Sequence, residues 1–491
     1  MSYQLLTGAT GLLGRYLIRD LMQADVPLAV LVRPTRKASV RQRVEQMMAF
    51  WEERLGHALP RPVVLEGDIS QENLGLDDRS VKWVTEHCTG MIHNAASLTF
   101  HSTGPESEPW RSNIQGVRHV LDLCEKTGIR QLLHMSTAYV CGLREGRVLE
   151  TELDVGQERG NDYEMSKIDA EKMVHAATFI DDLTVCRPAI IVGDSQTGYT
   201  STYHGFYAAL QLAYTLVRSM ESDDTGRVRS IARFELSGNE SKNLVPVDWV
   251  SAATAHIVTH PELHGQTYHL TPRHPATIRL VSDILEDATR FYSAKFVGED
   301  AEIDDWGEAE QIFNDNIHVY NSYWRDDPTF DCTNTLTAMP HLPCPDVDRE
   351  MLLRMSQVAI DGNFGGGRDK RVDLDFDPHQ HLKPLVDAGE KQTNGQADAH
   401  LLGLEVTGGG GGAWHLMLQD GKLVGADIGR DQKCTAIYRL DADTFATLAT
   451  GEESASSALD KGQLVIDGNG LSRSELVGIF DKMVRGTAIE K

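Results

Sequence analysis

From residue 3 to about residue 195, short apolar runs alternate with stretches of helical periodicity, and this alternation constrains the fold more than any other feature of the chain. YQLL, LAVLV, PVVLE, GMIHN, QLLHMS and LTVCRPAIIV read as strands. Amphipathic segments such as Leu13 to Met22 and Asn113 to Thr127 fill the gaps between them. Strands that lack polar alternation are buried on both faces. The pattern therefore predicts a parallel sheet with helices on both sides, a doubly wound α/β domain.

The remainder of the 491 residues is organised differently. Residues 200–360 are less regular. YAALQLAYTLV reads as a buried helix, and helical periodicity returns in IRLVSDILEDATRFY and REMLLRMSQVAI. The acidic stretch EDAEIDDWGEAE reads as a solvated helix face. GNFGGGRDKRVDLDFDPHQH has the glycine, proline and charge content of a linker. Beyond it, WHLML, KLVGADI, CTAIYRL and QLVIDG are short strands, and Asp443–Leu448 and Ser472–Val484 look helical. Gly408 to Gly412 reads as a join between two strands. The expected division is a first domain over 1–365, with its less regular part at about 195–360, a linker at 366–382, and an α+β unit at 383–491.

The net charge of −25 argues against nucleic acid or an anionic membrane surface as a partner, because both need clustered cations. No run approaches the roughly 18 consecutive apolar residues of a membrane span. No basic segment backed by an apolar one suggests a signal peptide. The seven cysteines lack CxxC spacing and fit reduced thiols in a cytoplasmic protein. No His, Cys, Asp or Glu cluster has metal-ligand spacing, so no metal is expected.

The first strand runs into Thr7-Gly8-Ala9-Thr10-Gly11-Leu12-Leu13-Gly14 and then a helix. Such a turn lets a pyrophosphate approach backbone amides at a helix N-terminus, where the dipole favours negative charge. The second strand ends at Arg33, with Arg36, Lys37 and Arg43 close behind and no acid where a free ribose 2′-hydroxyl would be met. A basic spot at this place favours NADPH over NADH.

Tyr163 and Lys167 stand at i and i+4, on one helical face. A cation beside a phenol lowers its pKa toward a value useful for proton transfer. Upstream, Met135-Ser136-Thr137-Ala138-Tyr139-Val140 reads as an apolar strand ending in hydroxyls, which could hydrogen-bond a developing oxyanion.

Together with Gly67-Asp68-Ile69, His93-Asn94-Ala95-Ala96, Asn113 and Arg187-Pro188, these motifs make the chain up to about residue 275 resemble an extended short-chain dehydrogenase/reductase of Rossmann type. The resemblance implies Gly8, Thr10, Gly11, Leu12, Leu13 and Gly14 at the cofactor phosphates and Arg33 and Arg43 at a 2′-phosphate. It implies Asp68 and Ile69 at the adenine, Asn94, Ala95 and Ala96 along the ribose and phosphates, and Pro188 and Ile191 near the nicotinamide. Tyr163 would exchange the proton, Lys167 would hold the ribose and tune Tyr163, and Thr137, the residue followed by Ala-x-Val, would orient the carbonyl. The LVRP strand end, GDIS followed by Leu74-Gly75-Leu76, and the run from Arg187 to Gly198 resemble the thioester and fatty-acyl reductase branch.

Residues of about 385–488 resemble the sterol-carrier-protein (type 2) fold, through Trp414-His415-Leu416, Asp420-Gly421-Lys422, Thr444-Phe445-Ala446 and Gly462 to Gly468. The expectation is then an NADPH-dependent reductase of a lipid-like carbonyl, an acyl thioester delivered on CoA or a carrier protein, with a C-terminal domain that holds or passes lipid. Two alternatives stay open: a dehydrogenase or ketone reductase acting on a steroid or other polycyclic lipid, and an NADPH-sensing lipid-binding protein without turnover. Oligomeric state is undetermined, with a homodimer among the options.

Overall fold

The computed structural model describes residues 2–220, 224, 232–292, 294–298, 305–317, 323, 325–365, 374–392, 400–468 and 471–485. The first half forms strands β1 (Tyr3–Thr7), β2 (Leu28–Val32), β3 (Val63–Glu66), β4 (Cys88–His93) and β5 (Gln131–Met135), with short β6 at Arg147–Val148, then β7 (Asp182–Pro188) and β8 (Ile190–Val192). Helices α1 (Leu12–Gln23), α2 (Val40–Leu55), α3 (Asp78–His87), α4 (Gly116–Thr127) and α5 (Asp162–Ala176) lie between them. The main sheet is parallel throughout, in the order Thr267–Leu270, β7, β5, β4, β1, β2, β3.

Burial on both faces explains the near-continuous apolar strands. Leu5 and Leu6 are both fully buried, yet successive strand side chains point to opposite faces, so they enter different cores. Local signals close the crossovers. Ser39 and Gln42 form a capping box at the start of α2, and Gly56 ends that helix in the left-handed conformation.

The run LTVCRPAIIV is two strands, not one. β7 stays in the main sheet, whereas β8 leaves after Ala189 to pair with Leu244–Pro246. The Ser136–Val140 segment is likewise no strand: β5 stops at Met135, and Thr137 caps a 3-10 turn at Ala138–Cys141 by accepting from the Tyr139 amide at 3.3 Å. Helix α6 (Phe206–Arg218) covers YAALQLAYTLV, but only Phe206, Tyr207 and Leu210 are buried. It packs with α8 (Ile278–Thr289) in the substrate half, while α7 (Val247–Thr259) returns against α1. In the acidic stretch, residues 299–304 lie outside the described residues. Its end opens α9 (Glu308–Ile317), and Glu310 there is buried rather than solvated because Arg233 claims its carboxylate.

The C-terminal unit has a five-stranded mixed sheet in the order Lys422–Ile428, Gly412–Gln419, His400–Thr407, Cys434–Asp441, Val465–Gly468. His400–Thr407, which the sequence reading passed over, is its central strand, and the glycine run 408–412 joins it to the next. Trp414, Tyr438, Phe445 and Phe480 are fully buried in its core. Helix Pro378–Gln392 belongs to this core through Leu382 and Leu385, so the unit draws in residues on both sides of position 382. Residues 366–373 of the expected linker lie outside the described residues.

The two units are joined by specific contacts. Trp83 Nε1 donates to the Ile428 carbonyl at 2.7 Å, and the Arg430 amide donates to Tyr3 Oη at 2.8 Å. Arg41 makes a two-pronged contact with Asp377 at 2.8 and 2.7 Å. Tyr3 begins β1, whereas the glycine turn follows its end. The C-terminal unit thus contacts the start of β1, helix α3 and the first turn of α2, and none of its described residues lines the cleft.

Candidate active site

Between β1 and α1 the backbone turns at Gly8, with φ of +69°. A Cβ at Gly8 would lie 2.7 Å from the Ala95 nitrogen, and one at Gly14 would lie 2.1 Å from the Gly8 carbonyl oxygen. Only bare backbone fits at either place. The turn therefore presses against the loop after β4 and presents the start of α1 to a cleft of about 710 Å³, a size suited to a small-molecule ligand.

Gly8, Thr10, Gly11, Leu12, Leu13, Arg33, Arg43, Ile69, Asn94, Ala95, Ala96, Thr137, Tyr163, Lys167, Pro188 and Ile191 all line this one cleft. Gly14 and Asp68 stand behind it. Gly14 takes the close backbone approach just described, and Asp68 accepts from the Ser70 amide at 2.9 Å and lies 3.8 Å from Arg33. Arg43 donates to Thr10 Oγ1 at 2.9 Å and to the Arg33 carbonyl at 2.5 Å. Its pKa is lowered by burial and then by the neighbouring charges of Arg33 and Arg15. Crowded cations beside a glycine turn suit a polyanionic ligand, so the residues present fit a dinucleotide.

Helix α5 starts where Asn161 accepts from the Glu164 amide, which aims Tyr163 and Lys167 into the cleft. Lys167 Nζ donates to the Met135 carbonyl at 2.7 Å, and burial lowers its pKa to about 8. Tyr163 is bonded to Thr137, yet burial prevails and pushes the phenol up to about 12. The expectation that the ammonium draws the phenol down is not what this geometry shows: desolvation by burial is the main influence on Tyr163, with Thr137 lowering it and the charge of Glu164 raising it further.

Ser136 and Thr137 face different ways. Ser136 Oγ donates to Glu171 at 2.5 Å, while Thr137 Oγ1 sits beside the Pro188 carbonyl at 3.4 Å. Arg187 meets the same Glu171 at 2.5 and 3.0 Å, so α5, the end of β5 and the end of β7 share one buried network. Asn113, in a short π-helical turn, bridges Ser97 and Ser166 and so ties the loop after β4 to α5 without lining the cleft.

The substrate end of the cleft is apolar and aromatic, with Phe100, Tyr139, Phe206, Leu244, Ile278 and Tyr323 in its walls. Phe100 lies edge-on to Tyr163 at 5.9 Å. Tyr139 Oη donates to Asp327 at 2.6 Å, and Lys242 Nζ pairs with the same carboxylate at 2.9 Å. Phe100, Lys242, Asp327 and Tyr323 carry no local motif, and sequence reasoning missed them. Of the aromatic group after Gly198, His204 and Phe206 line the cleft, whereas Tyr199 packs on Phe50 and Tyr203 on Tyr207 and Phe364. His93 is buried against Thr7 at 2.8 Å and stacks on buried His134, as core histidines do.

This fold and cleft define an NAD(P)-binding oxidoreductase built on the extended short-chain dehydrogenase/reductase plan. The chain belongs to the NAD-binding family described as Male sterility protein, whose model matches residues 6–254, just over half of the 491. A second model, the SCP-2 sterol transfer family, matches residues 381–481. The chain is 26% identical over 288 residues to the nonribosomal peptide synthetase asaC of Aspergillus flavus, covering 55% of this chain and 26% of that protein. It is 32% identical over 146 residues to a putative fatty acyl-CoA reductase, CG8306, of Drosophila melanogaster, covering 28% of each. The chain thus spans only about a quarter of the length of either relative. Among solved structures, the terminal R domain of the myxalamid PKS-NRPS pathway superposes with a TM-score of 0.61 at 26% identity, covering 74% of this chain and 92% of that one. The family is one of thioester and carbonyl reductases.

Proposed function

We propose that the chain is an NADPH-dependent reductase of acyl thioesters carried on CoA or on a carrier protein. The observation that carries this reading is the meeting, in one cleft, of the glycine turn, the Thr137–Tyr163–Lys167 set and an aromatic, apolar far end. Arg33 and Arg43 are assigned to the 2′-phosphate, and Asp68 and Ile69 to the adenine. Asn94, Ala95 and Ala96 are assigned to the ribose and phosphates, and Pro188 and Ile191 to the nicotinamide face.

NADPH, when bound, supplies the hydride. Thr137 holds the carbonyl oxygen, and Tyr163, a phenol kept protonated by burial, gives that oxygen its proton as hydride reaches the carbon. Lys167 holds the ribose side of the site and restores the proton. The hemithioacetal then breaks its C–S bond, giving aldehyde and free thiol, and a second hydride would give the alcohol. The C-terminal unit is assigned to lipid holding, as the name of its matched family suggests. None of its described residues lines the cleft, which makes it a docked module rather than a wall of the cleft. All seven cysteines are unpaired, which fits work in the reducing cytoplasm.

The test is NADPH oxidation with acyl-CoA substrates, with release of thiol followed in the same cuvette. Thiol release with one NADPH consumed per thiol (aldehyde product) or two (alcohol product) supports the proposal. NADPH loss with ketones alone, and no thiol from any thioester, would replace it with the polycyclic-lipid ketone reductase.

A further inference from the structure

A second cavity, of about 80 Å³, lies in the substrate half outside the cleft. Its walls come from the two helices that also line the cleft. On α6 the cleft is lined by Phe206 and Ala209, and the second cavity by Ala213 and Leu216, with Met220 just past the helix end. On α8 the cleft takes Ile278 and Val281, and the second cavity takes Ser282, Leu285 and Thr289. The spacings 209–213–216 and 278–282–285–289 are those of single helical stripes. Both spaces therefore lie along the same pair of helix faces, the second further along each helix. From Ala209 to Leu216 α6 rises about 10 Å at 1.5 Å per residue.

The far cavity differs from the cleft in chemistry. Its walls are mostly apolar, with Phe234, Phe291 and Phe313 added to the helix residues. Among its polar lining groups, Arg233 pairs with Glu310 at 2.8 Å, Glu286 accepts from the Ala294 amide at 2.6 Å, and Thr289 Oγ1 donates to the Leu285 carbonyl at 2.7 Å. Nothing here invites a charged or hydrogen-bonding ligand, whereas a methylene chain loses only water.

The geometry points to the two spaces, joined between α6 and α8, as one acyl-chain groove, with the far cavity and its Arg233–Glu310 pair receiving the distal methylenes. The inference rests on the thioester-reductase reading above and adds to it that chain length is read between α6 and α8. Each methylene buried there is worth about fourfold in binding. The residues assigned to setting length are Ala213 and Ser282, the small residues at which the second cavity begins along α6 and along α8.

The test is a series of butanoyl-, octanoyl-, dodecanoyl- and hexadecanoyl-CoA with the full chain and with Ala213→Phe and Ser282→Leu, each checked for an unchanged melting temperature. The expected result is a fall of about tenfold or more in the dodecanoyl-to-butanoyl ratio of kcat/KM for Ala213→Phe, and a smaller fall in the same direction for Ser282→Leu. A ratio that stays constant in both variants overturns the channel. If the parent enzyme reduces neither acyl-CoA nor acyl-carrier-protein thioesters, the thioester reading has failed, and the groove is judged by binding alone. Trp306 lines the far cavity, so its fluorescence, isolated by comparison with Trp306→Phe, should respond to dodecanoic acid but not to butanoic acid. Ala213→Phe should weaken that response. No response from Trp306, or equal responses with and without Ala213→Phe, overturns the groove as a chain site.

Discussion

Replacing Glu171 with glutamine should loosen the join between the helix that carries Tyr163 and Lys167 and the strand that leads to Pro188. Glu171 is fully buried one turn beyond Lys167 and takes Arg187 Nη2 at 2.5 Å, with Ser136 Oγ on its other oxygen, also at 2.5 Å. Burial alone would raise its pKa; hydrogen bonding from His175, the charge and hydrogen bonds of Arg187, and Ser136 together hold it at about 2, against an ordinary 4.5. That difference corresponds to about 3 kcal/mol of stability at neutral pH. Removing one partner of a buried ion pair costs about 3–5 kcal/mol by a separate route, so the two figures agree. Because the folded-state value is depressed, this stability is fully present above pH 4.5 and is lost as the pH falls toward 2. Urea unfolding of the reductase domain should therefore show Glu171→Gln less stable by about 3 kcal/mol at neutral pH, with the gap narrowing in acid. The double variant Glu171→Leu with Arg187→Met should lose less than the two single losses combined, since no charge is left stranded. A neutral-pH loss under about 1 kcal/mol, or a gap that widens as the pH falls, would refute the reasoning.

Tyr163→Phe should lower reductive kcat by about a hundredfold or more while NADPH affinity is retained; a smaller loss removes Tyr163 as proton donor. Lys167 titrates near 8 and Tyr163 near 12, so reductive kcat/KM should fall as the pH rises through 8 while the phenol is still protonated. A profile that is flat well past pH 8 contradicts a charged Lys167 in the reaction. Arg33→Ala should weaken NADPH far more than NADH in direct titrations, and equal weakening defeats the 2′-phosphate assignment. Trp83→Ala removes the 2.7 Å bond to Ile428 and an edge contact with Tyr3 at 5.1 Å. It should cost about 3–5 kcal/mol and speed proteolytic separation of the two units; an unchanged cleavage rate shows that the interface does not depend on it.

Much of the site was legible because its residues sit in local motifs. Gly8, Gly11 and Gly14 follow a strand, Tyr163 and Lys167 share a helical face, and Asn94 to Ala96 end another strand, so short-range spacing places each at the same edge of a parallel sheet. Phe100, Lys242 and Tyr323 were not legible. They come from three distant loops and strands, and nothing near them in the sequence says that they meet. The split of Asp182–Pro188 from Ile190–Val192 was hidden for a related reason: one apolar run serves two sheets, and only the partners at Gln131–Met135 and Leu244–Pro246 reveal the break.

Periodicity and turn chemistry are local, so the sequence by itself determined the doubly wound sheet, the cofactor turn, the phenol–ammonium pair and the existence of a separate C-terminal unit. Solvation and long-range packing are not local. Only the tertiary structure decided that burial raises the Tyr163 phenol, that Glu310 is paired rather than solvated, and that the C-terminal unit docks on the start of β1 and on helices α2 and α3. It likewise decided that a second cavity lies beside α6 and α8, because the energy of a buried group depends on which distant elements remove its water.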